Sequence, residues 1–363
     1  MKILTVVGAR PQFIKASALS KMVSAQSNAE NGLVEILVHT GQHYDAQMSD
    51  TFFAELGIPQ PAHHLHVGGG SHANQTGDMM KGLEKVMIAE APSIVVVYGD
   101  TNSTIAAALV AAKLHLPIAH VEAGLRSFDR RMPEEVNRVV TDHLSSILFC
   151  PSGTAVENLR HEGITRNVHV VGDVMYDVFL DAMHRVDGDH SAARSLNVVP
   201  GQFALVTVHR AGNTDDSSRF DSIVAAICAI AETGLAVVWP VHPRTRDLFS
   251  GRDLPPNLVL TEPASYLRMA QLTRDANVII TDSGGLQKEA FWAHTPCVTL
   301  RDETEWVETV TAGWNTIVGT DPVRIVEAAL NAPLPLHHPD LYGNGDAAAR
   351  IVRELLMWNS VAS

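Results

Sequence analysis

Short apolar runs rich in β-branched residues recur along the chain: Ile3–Val7, Val34–Val38, Ile94–Tyr98, Ile118–Val121 and Ile147–Cys150. A second set follows at Phe203–Val208, Ala236–Trp239, Val278–Thr281 and Cys297–Leu300. Most are continuous instead of alternating, the pattern of strands covered on both faces. Helical stretches lie between them, among them Thr101–Leu114 and Ser218–Thr233, and Asp346–Trp358 reads as a last helix. Strands alternating with helices predict βαβ units and mostly parallel sheets. One set ends before about residue 170 and the other begins after about 200. The pattern therefore predicts an α/β fold of two doubly wound, Rossmann-like domains facing each other across a cleft. In such open sheets ligands bind beyond the carboxyl ends of the strands, so the residues after each run carry the candidate chemistry.

Length agrees with two domains, since 363 residues exceed what one core usually serves. The balance of 46% hydrophobic and 18% charged residues is that of a soluble globular protein. The three cysteines form no CxxC pair, which argues against a disulfide frame or a zinc site and for reduced thiols in a cytoplasmic enzyme. The opening MKILTVVGARPQ reads as a first strand, not a secretion signal. No run approaches the 18 apolar residues of a membrane span. A net charge of −13 disfavours nucleic acid as a partner, and an anionic ligand would need cations gathered locally. The histidine clusters His63-His64-His66 and His337-His338 lack ligand spacing and read as solvated loops, so no metal is expected.

After the first run comes GARPQFIK. Gly8 permits a tight turn and Pro11 suits the first helical position. The helix start is then an anion site, with Arg10 before it and Lys15 one turn inside. Neither a Walker A loop nor GxGxxG is present. GDTNST follows Ile94–Tyr98, and its Asp100 is either a helix cap or a functional carboxylate. EAGLRS places Glu122 at a strand end, where capping does not explain it. RRMPEEVNR opens a helix with Glu134 and Glu135 in its first turn. Such carboxylate stations suit acid–base chemistry.

The second half sets His209 and Arg210 after one run, and His242, Arg244 and Arg246 after the next. TDSGGLQKEA then leaves a strand through Ser283, Gly284 and Gly285, whose backbone can approach a ligand and present N–H groups at a helix start. That is a phosphate cradle, and Glu289 lies one turn inside, within reach of a sugar hydroxyl.

Taken with HVEAGLRS, MPEEVNR, PVHP, RDETEW and VGTD, these motifs resemble the non-hydrolysing UDP-N-acetylglucosamine 2-epimerases over essentially the whole chain. The resemblance implies a glycosyltransferase-B type fold and a homodimer. It divides the chain into 1–171, with the final helix 346–363 packing back on it, and a nucleotide-binding domain 172–345. The implied reaction inverts C2 of UDP-N-acetylglucosamine to give UDP-N-acetylmannosamine, a precursor of surface polysaccharide. It runs by anti elimination of UDP and re-addition, with no redox cofactor. Arg10, Ser283, Gly284 and Gly285 would hold the diphosphate, Glu289 the ribose, and Arg138 would join in binding. His209 would stabilise departing UDP, Asp100, Glu122 and Glu134 would be the acid–base carboxylates, and Lys15 would set the local field. Because the C2 proton is poorly acidic, a carboxylate base needs burial or a carboxylate neighbour.

The chain departs from the family pattern in places. Many relatives carry Arg where Trp306 stands, and GARPQF replaces the commoner GTRPEA. HTGQHYDAQMSD, RSFDRRMPEE and RDETEWVE are similar to a branch acting on UDP-2,3-diacetamido-2,3-dideoxyglucuronate. Some members also use UDP-N-acetylglucosamine as an allosteric activator, for which Gln42, His43, Arg210 and His242 are the candidate contacts. A glycosyltransferase of the same fold would share the cradle but leave three carboxylates surplus. A silent nucleotide-sugar sensor would not need them either.

Overall fold

The computed structural model describes residues 1–26, 32–42, 57–241 and 243–362. The chain forms two compact units, Met1–Val178 with Tyr342–Ser363, and Phe179–Leu341.

The first unit holds β1 (Lys2–Val7), β2 (Val34–His39), β3 (His63–His64), β4 (Ile94–Tyr98), β5 (Ile118–Val121), β6 (Ile147–Cys150) and β7 (Val168–Val170). They form one parallel sheet in the order β3-β2-β1-β4-β5-β6-β7. β4 is buried at every position, which is why its run is continuous. The helix Asn102–Lys113 lies against this sheet through Ala106, Ala107, Ala108 and Ala111. Small side chains there let it pack closely beside Val95 and Val97. The C-terminal helix Ala347–Ala362 packs within this unit against the helix Arg10–Gln26, burying Ile351, Val352 and Leu355. Its start is held by Asp177, which accepts from the N–H groups of Ala347 at 3.1 Å and Ala348 at 2.8 Å.

The second unit holds β8 (Phe203–Thr207), β9 (Ala236–Pro240), β10 (Leu258–Thr261), β11 (Val278–Thr281), β12 (Cys297–Thr299) and β13 (Asn315–Ile317). All pairings are parallel, in the order β10-β9-β8-β11-β12-β13. One side of the core gathers Val206, Ile280, Phe220, Trp239 and Phe249. The Trp239 and Phe249 rings meet edge to face, with centroids 5.0 Å apart.

Strand order reverses once in each sheet, between β1 and β4 and between β8 and β11. Such switch points leave a crevice where the two flanking connections diverge. The connections leaving those strands contain Arg10 and Asp100 in the first unit, and His209 and Ser283 in the second.

Candidate active site

At the first switch point, Gly8 is fixed by packing. A side chain there would overlap the hydroxyls of Thr40 and Ser103. The amides of Gly8 and Ala9 both donate to Gln12 Oε1, at 2.8 and 3.1 Å. Gln12 Nε2 in turn donates to the Tyr98 carbonyl and Thr104 Oγ1, each at 2.9 Å. These two amides, which precede the helix, thus serve a structural clamp. Arg10 is the first residue of its helix and Pro11 the second. Lys15, buried one turn further, pairs with Glu122.

Glu122 follows β5 and is 9% exposed. Its φ of 70° is left-handed, a conformation costly for a residue with a Cβ. Gly99 closes in from β4, and a Cβ on it would come within 3.1 Å of both Glu122 Oε2 and Lys15 Nζ. The carboxylate therefore has an ammonium as a close neighbour.

Asp100 is not the cap of the helix Asn102–Lys113. Thr101 takes that position and accepts from the N–H of Thr104. The Asp100 carboxylate instead receives Arg138 Nη2, and its carbonyl receives Asn137 Nδ2 at 2.8 Å. Arg138 is buried and also donates to Glu135 Oε2 at 2.8 Å. Two of its donors thus meet protein carboxylates, and one of them steadies Asp100. Glu135, 1% exposed, further accepts from Ser127 N at 2.9 Å, Ser127 Oγ at 3.1 Å and Phe128 N at 3.0 Å. Its neighbour Glu134 is exposed, on the first turn of the helix Pro133–Leu144. The two adjacent glutamates point to opposite environments because the helix turns about 100° per residue.

At the second switch point, the Thr207 and Thr281 hydroxyls clip the ends of β8 and β11 together at 2.6 Å. Asp282 follows, wholly buried. It accepts from Arg210 N at 3.0 Å, Asn213 Nδ2 at 3.1 Å and His209 N at 3.2 Å. His209 Nδ1 also lies 3.2 Å from Asp282 Oδ1, while half the His209 side chain stays exposed. Burial pushes the Asp282 carboxyl up, but the bonds from His209, Arg210 and Asn213 hold it below the usual range. An ionised carboxylate behind Nδ1 leaves the histidine presenting Nε2 outward. Asp282 was legible only as a strand-end residue; its role needed the β8–β11 pairing.

Ser283 caps the helix Gly284–Trp292, its hydroxyl accepting from Leu286 N at 3.4 Å. The first amides of a helix have no partner within it. A Cβ on Gly284 would lie 2.7 Å from Glu305 Oε1 and 3.2 Å from Trp306 Nε1. Arg301 balances Glu305 at 2.9 Å, and Arg210 approaches its other oxygen at 4.0 Å. Trp306 covers the buried Lys288, whose Nζ sits 3.8 Å from the ring centroid, a cation–π contact. Glu289 is buried on the same helix.

Of the candidate regulatory residues, Gln42 is in the first unit and accepts from Ser103 N at 3.0 Å and Ser103 Oγ at 2.7 Å. Arg210 is in the second. His43 and His242 lie outside the described residues. Of the two histidine clusters, His337-His338 lies in a loop with His337 exposed, whereas His63 and His64 are in a strand. His63 and His64 form β3, and His64 stacks on His39 and meets His66 at a tilt, with centroids 4.2 and 3.9 Å apart. His338 stacks on Phe291 and His294 at 4.0 and 3.9 Å. Ring nitrogens are engaged as well: His63 Nε2 lies 2.8 Å from Glu90 Oε1, and His338 Nε2 lies 2.8 Å from the Phe291 carbonyl. Among the described residues no group of His, Cys, Asp or Glu could hold a metal ion, and no helix is long and apolar enough to cross a membrane.

Two doubly wound units with polar side chains at both switch points are the α/β architecture in which ligands bind beyond the strand ends. The family model described as UDP-N-acetylglucosamine 2-epimerase matches residues 25–356. A UDP-N-acetylglucosamine 2-epimerase homolog from Methanococcus maripaludis is 48% identical, covering 98% of this chain and 99% of its own. The UDP-2,3-diacetamido-2,3-dideoxy-D-glucuronate 2-epimerase of Pseudomonas aeruginosa is 49% identical, covering 98% and 99%. The Methanocaldococcus jannaschii UDP-GlcNAc 2-epimerase, solved in complex with UDP-GlcNAc and UDP, superposes with a TM-score of 0.89 at 40% identity, covering 98% of this chain and all of that one. The chain belongs to the UDP-N-acetylglucosamine 2-epimerase family. It is a nucleotide-sugar 2-epimerase, an isomerase.

Proposed function

We propose that the protein inverts C2 of a UDP-linked 2-acetamido sugar without hydrolysing it. The observation that carries this reading is the strained, buried Glu122 beside Lys15, on a strand end next to the Asp100 turn. A carboxylate base takes the C2 proton, and the C2–H electron pair forms the C1–C2 double bond. The C1–O bond breaks and its electron pair leaves with UDP, giving a 2-acetamidoglucal. Re-addition of UDP at C1 and of a proton to the opposite face of C2 completes the inversion. The sequence is redox-neutral, so it calls for no redox cofactor.

Asp100, Glu122 and Glu134 are the acid–base group, with Lys15 neutralising Glu122 and Arg138 orienting Asp100. Ser283, Gly284, Gly285 and Arg10 bind the diphosphate, and Glu289 the ribose. His209, oriented by Asp282, stabilises the charge that develops as UDP departs; aimed donors of this kind are worth several kcal/mol at a transition state. Gln42, His43, Arg210 and His242 remain the proposed activator contacts. The protein acts in the cytoplasm as a homodimer and feeds polysaccharide precursor synthesis.

UDP-N-acetylglucosamine is the first substrate choice. UDP-2,3-diacetamido-2,3-dideoxyglucuronate is the second, favoured by the Pseudomonas aeruginosa relative at 49% identity. Proton NMR of each sugar nucleotide with the protein in D2O separates them. The true substrate shows loss of the C2 proton signal and growth of the 2-epimer. Product free of deuterium at C2 would exclude proton abstraction, and release of free sugar would replace the reading with a hydrolysing one.

A further inference from the structure

His120 lies in β5, two residues before Glu122, and is wholly buried among Ile118, Ala119 and Val121. A polar ring in such a strand is tolerated only when its nitrogens are bonded. Nδ1 lies 2.7 Å from Asp142 Oδ1, and Nε2 lies 2.8 Å from the Gly99 carbonyl. The Gly99 carbonyl can only accept, so Nε2 is the donor of that bond, and Asp142 faces Nδ1.

Gly99 links β4 to Asp100. Its φ is +60°, and its N–H donates to the Val121 carbonyl at 3.0 Å. The turn that launches Asp100 is therefore gripped at both its N–H and its C=O by β5, the strand that ends at Glu122. Asp142 backs the ring from the far side. Its Oδ2 accepts from Gly124 N at 3.1 Å and Arg126 Nη1 at 2.7 Å. Arg126 is held in turn by both oxygens of Glu162, at 2.7 and 2.9 Å.

We infer that His120 is a positioning residue for proton transfer. It fixes the Gly99 carbonyl and so sets the direction in which Asp100 leaves β4 relative to Glu122. This deepens the proposed reaction and rests on Asp100 and Glu122 forming its acid–base group.

Two amide variants separate the bonds. His120→Gln keeps an N–H near the former Nε2, and His120→Asn keeps one near the former Nδ1. The Asn variant should lose kcat by roughly 10²-fold or more, the scale of a displaced acid or base, with KM and UDP affinity little changed. The Gln variant should stay within about tenfold of the parent, on the same scale. The carbonyl 13C shift of Gly99 should move in the Asn variant and hold in the Gln variant. An Asn variant with the parent's kcat and Gly99 shift would overturn the role, as would equal losses in both variants that track lost thermal stability. If both variants fail to fold, 15N shifts of the His120 ring in the unaltered protein decide, since a bare Nε2 excludes the Gly99 bond. If the unaltered protein exchanges no C2 hydrogen, the reaction itself is refuted, and the Gly99 shift still reports separately whether His120 holds the turn.

Discussion

Lys15 and Glu122 are both buried, so each charge relies on the other. Removing one partner of a buried pair typically costs about 3–5 kcal/mol, because the remaining charge is stranded. Lys15→Met and Glu122→Gln should each lower stability on that scale. The double variant should recover most of it while remaining inactive. Urea unfolding beside turnover checks this; a double variant as unstable as the sum of the singles would show the pair is not coupled. Asp282 makes a different prediction. Asp282→Asn turns an acceptor of three N–H groups into a mixed donor, and the His209 ring loses its fixed tautomer. Turnover should fall by roughly 10²–10⁴. His209→Ala combined with Asp282→Asn should be no slower than His209→Ala alone, because residues acting as a unit do not add. Multiplicative losses in steady-state rates would separate the two roles. At this scale the sequence named Glu122, His209 and Ser283 from their strand-end positions. It could not distinguish Asp100 as cap from Asp100 as Arg138's partner, since that depends on a helix 38 residues away.

Among the elements, the C-terminal helix docks on a carboxyl whose shift predicts a pH dependence. Burial raises the Asp177 carboxyl from 3.8 to about 6, the N–H groups of Ala348 and Ala347 oppose this, and Asp173 and Asp346 reinforce it. An acid with a raised folded value holds its proton more tightly when folded. Its ionisation costs stability as pH rises through about 6, and the cost is absent below 3.8. The gap between those values corresponds to at most about 3 kcal/mol. Asp177→Asn should therefore stabilise the first unit at pH 7.5 and lose that advantage near pH 4. Amide hydrogen exchange over residues 347–357 at both values measures it; a pH-independent difference would place the cause elsewhere. The continuous buried runs predicted β1, β4, β5 and β6 closely. The short edge strands β3, β7, β10 and β13 did not stand out. Each has four residues or fewer, and Val170 at 53% exposed shows how little of such an edge is covered by the core.

For the whole molecule, the proposed placement of the Ser283, Gly284 and Gly285 cradle in the second unit and of the acid–base carboxylates in the first gives a mass-spectrometric prediction. UDP alone should slow amide exchange at 209–213 and 281–286. The complete sugar nucleotide should add protection at 99–101 and 120–124. Protection of the second set by UDP alone would detach it from the sugar. The net charge of −13 makes this division physically reasonable, because an anionic ligand gains only from local cations and aimed N–H groups.

What the sequence determined by itself was the alternation of buried strands and helices, hence two parallel sheets, and the polar residues that must follow those strands. Both are local properties: hydrophobic period, glycine and proline placement, and charge at a helix start. The tertiary structure decided which strand ends become neighbours. The order β2-β1-β4-β5 brings the Gly99 turn against Lys15, Glu122 and His120, and the order β9-β8-β11 sets Asp282 beneath His209. It also spent the amides of Gly8 and Ala9 on Gln12, and turned Glu135 inward while leaving Glu134 in solvent. The meetings of strand ends depend on contacts between residues up to 107 positions apart, which no local pattern encodes.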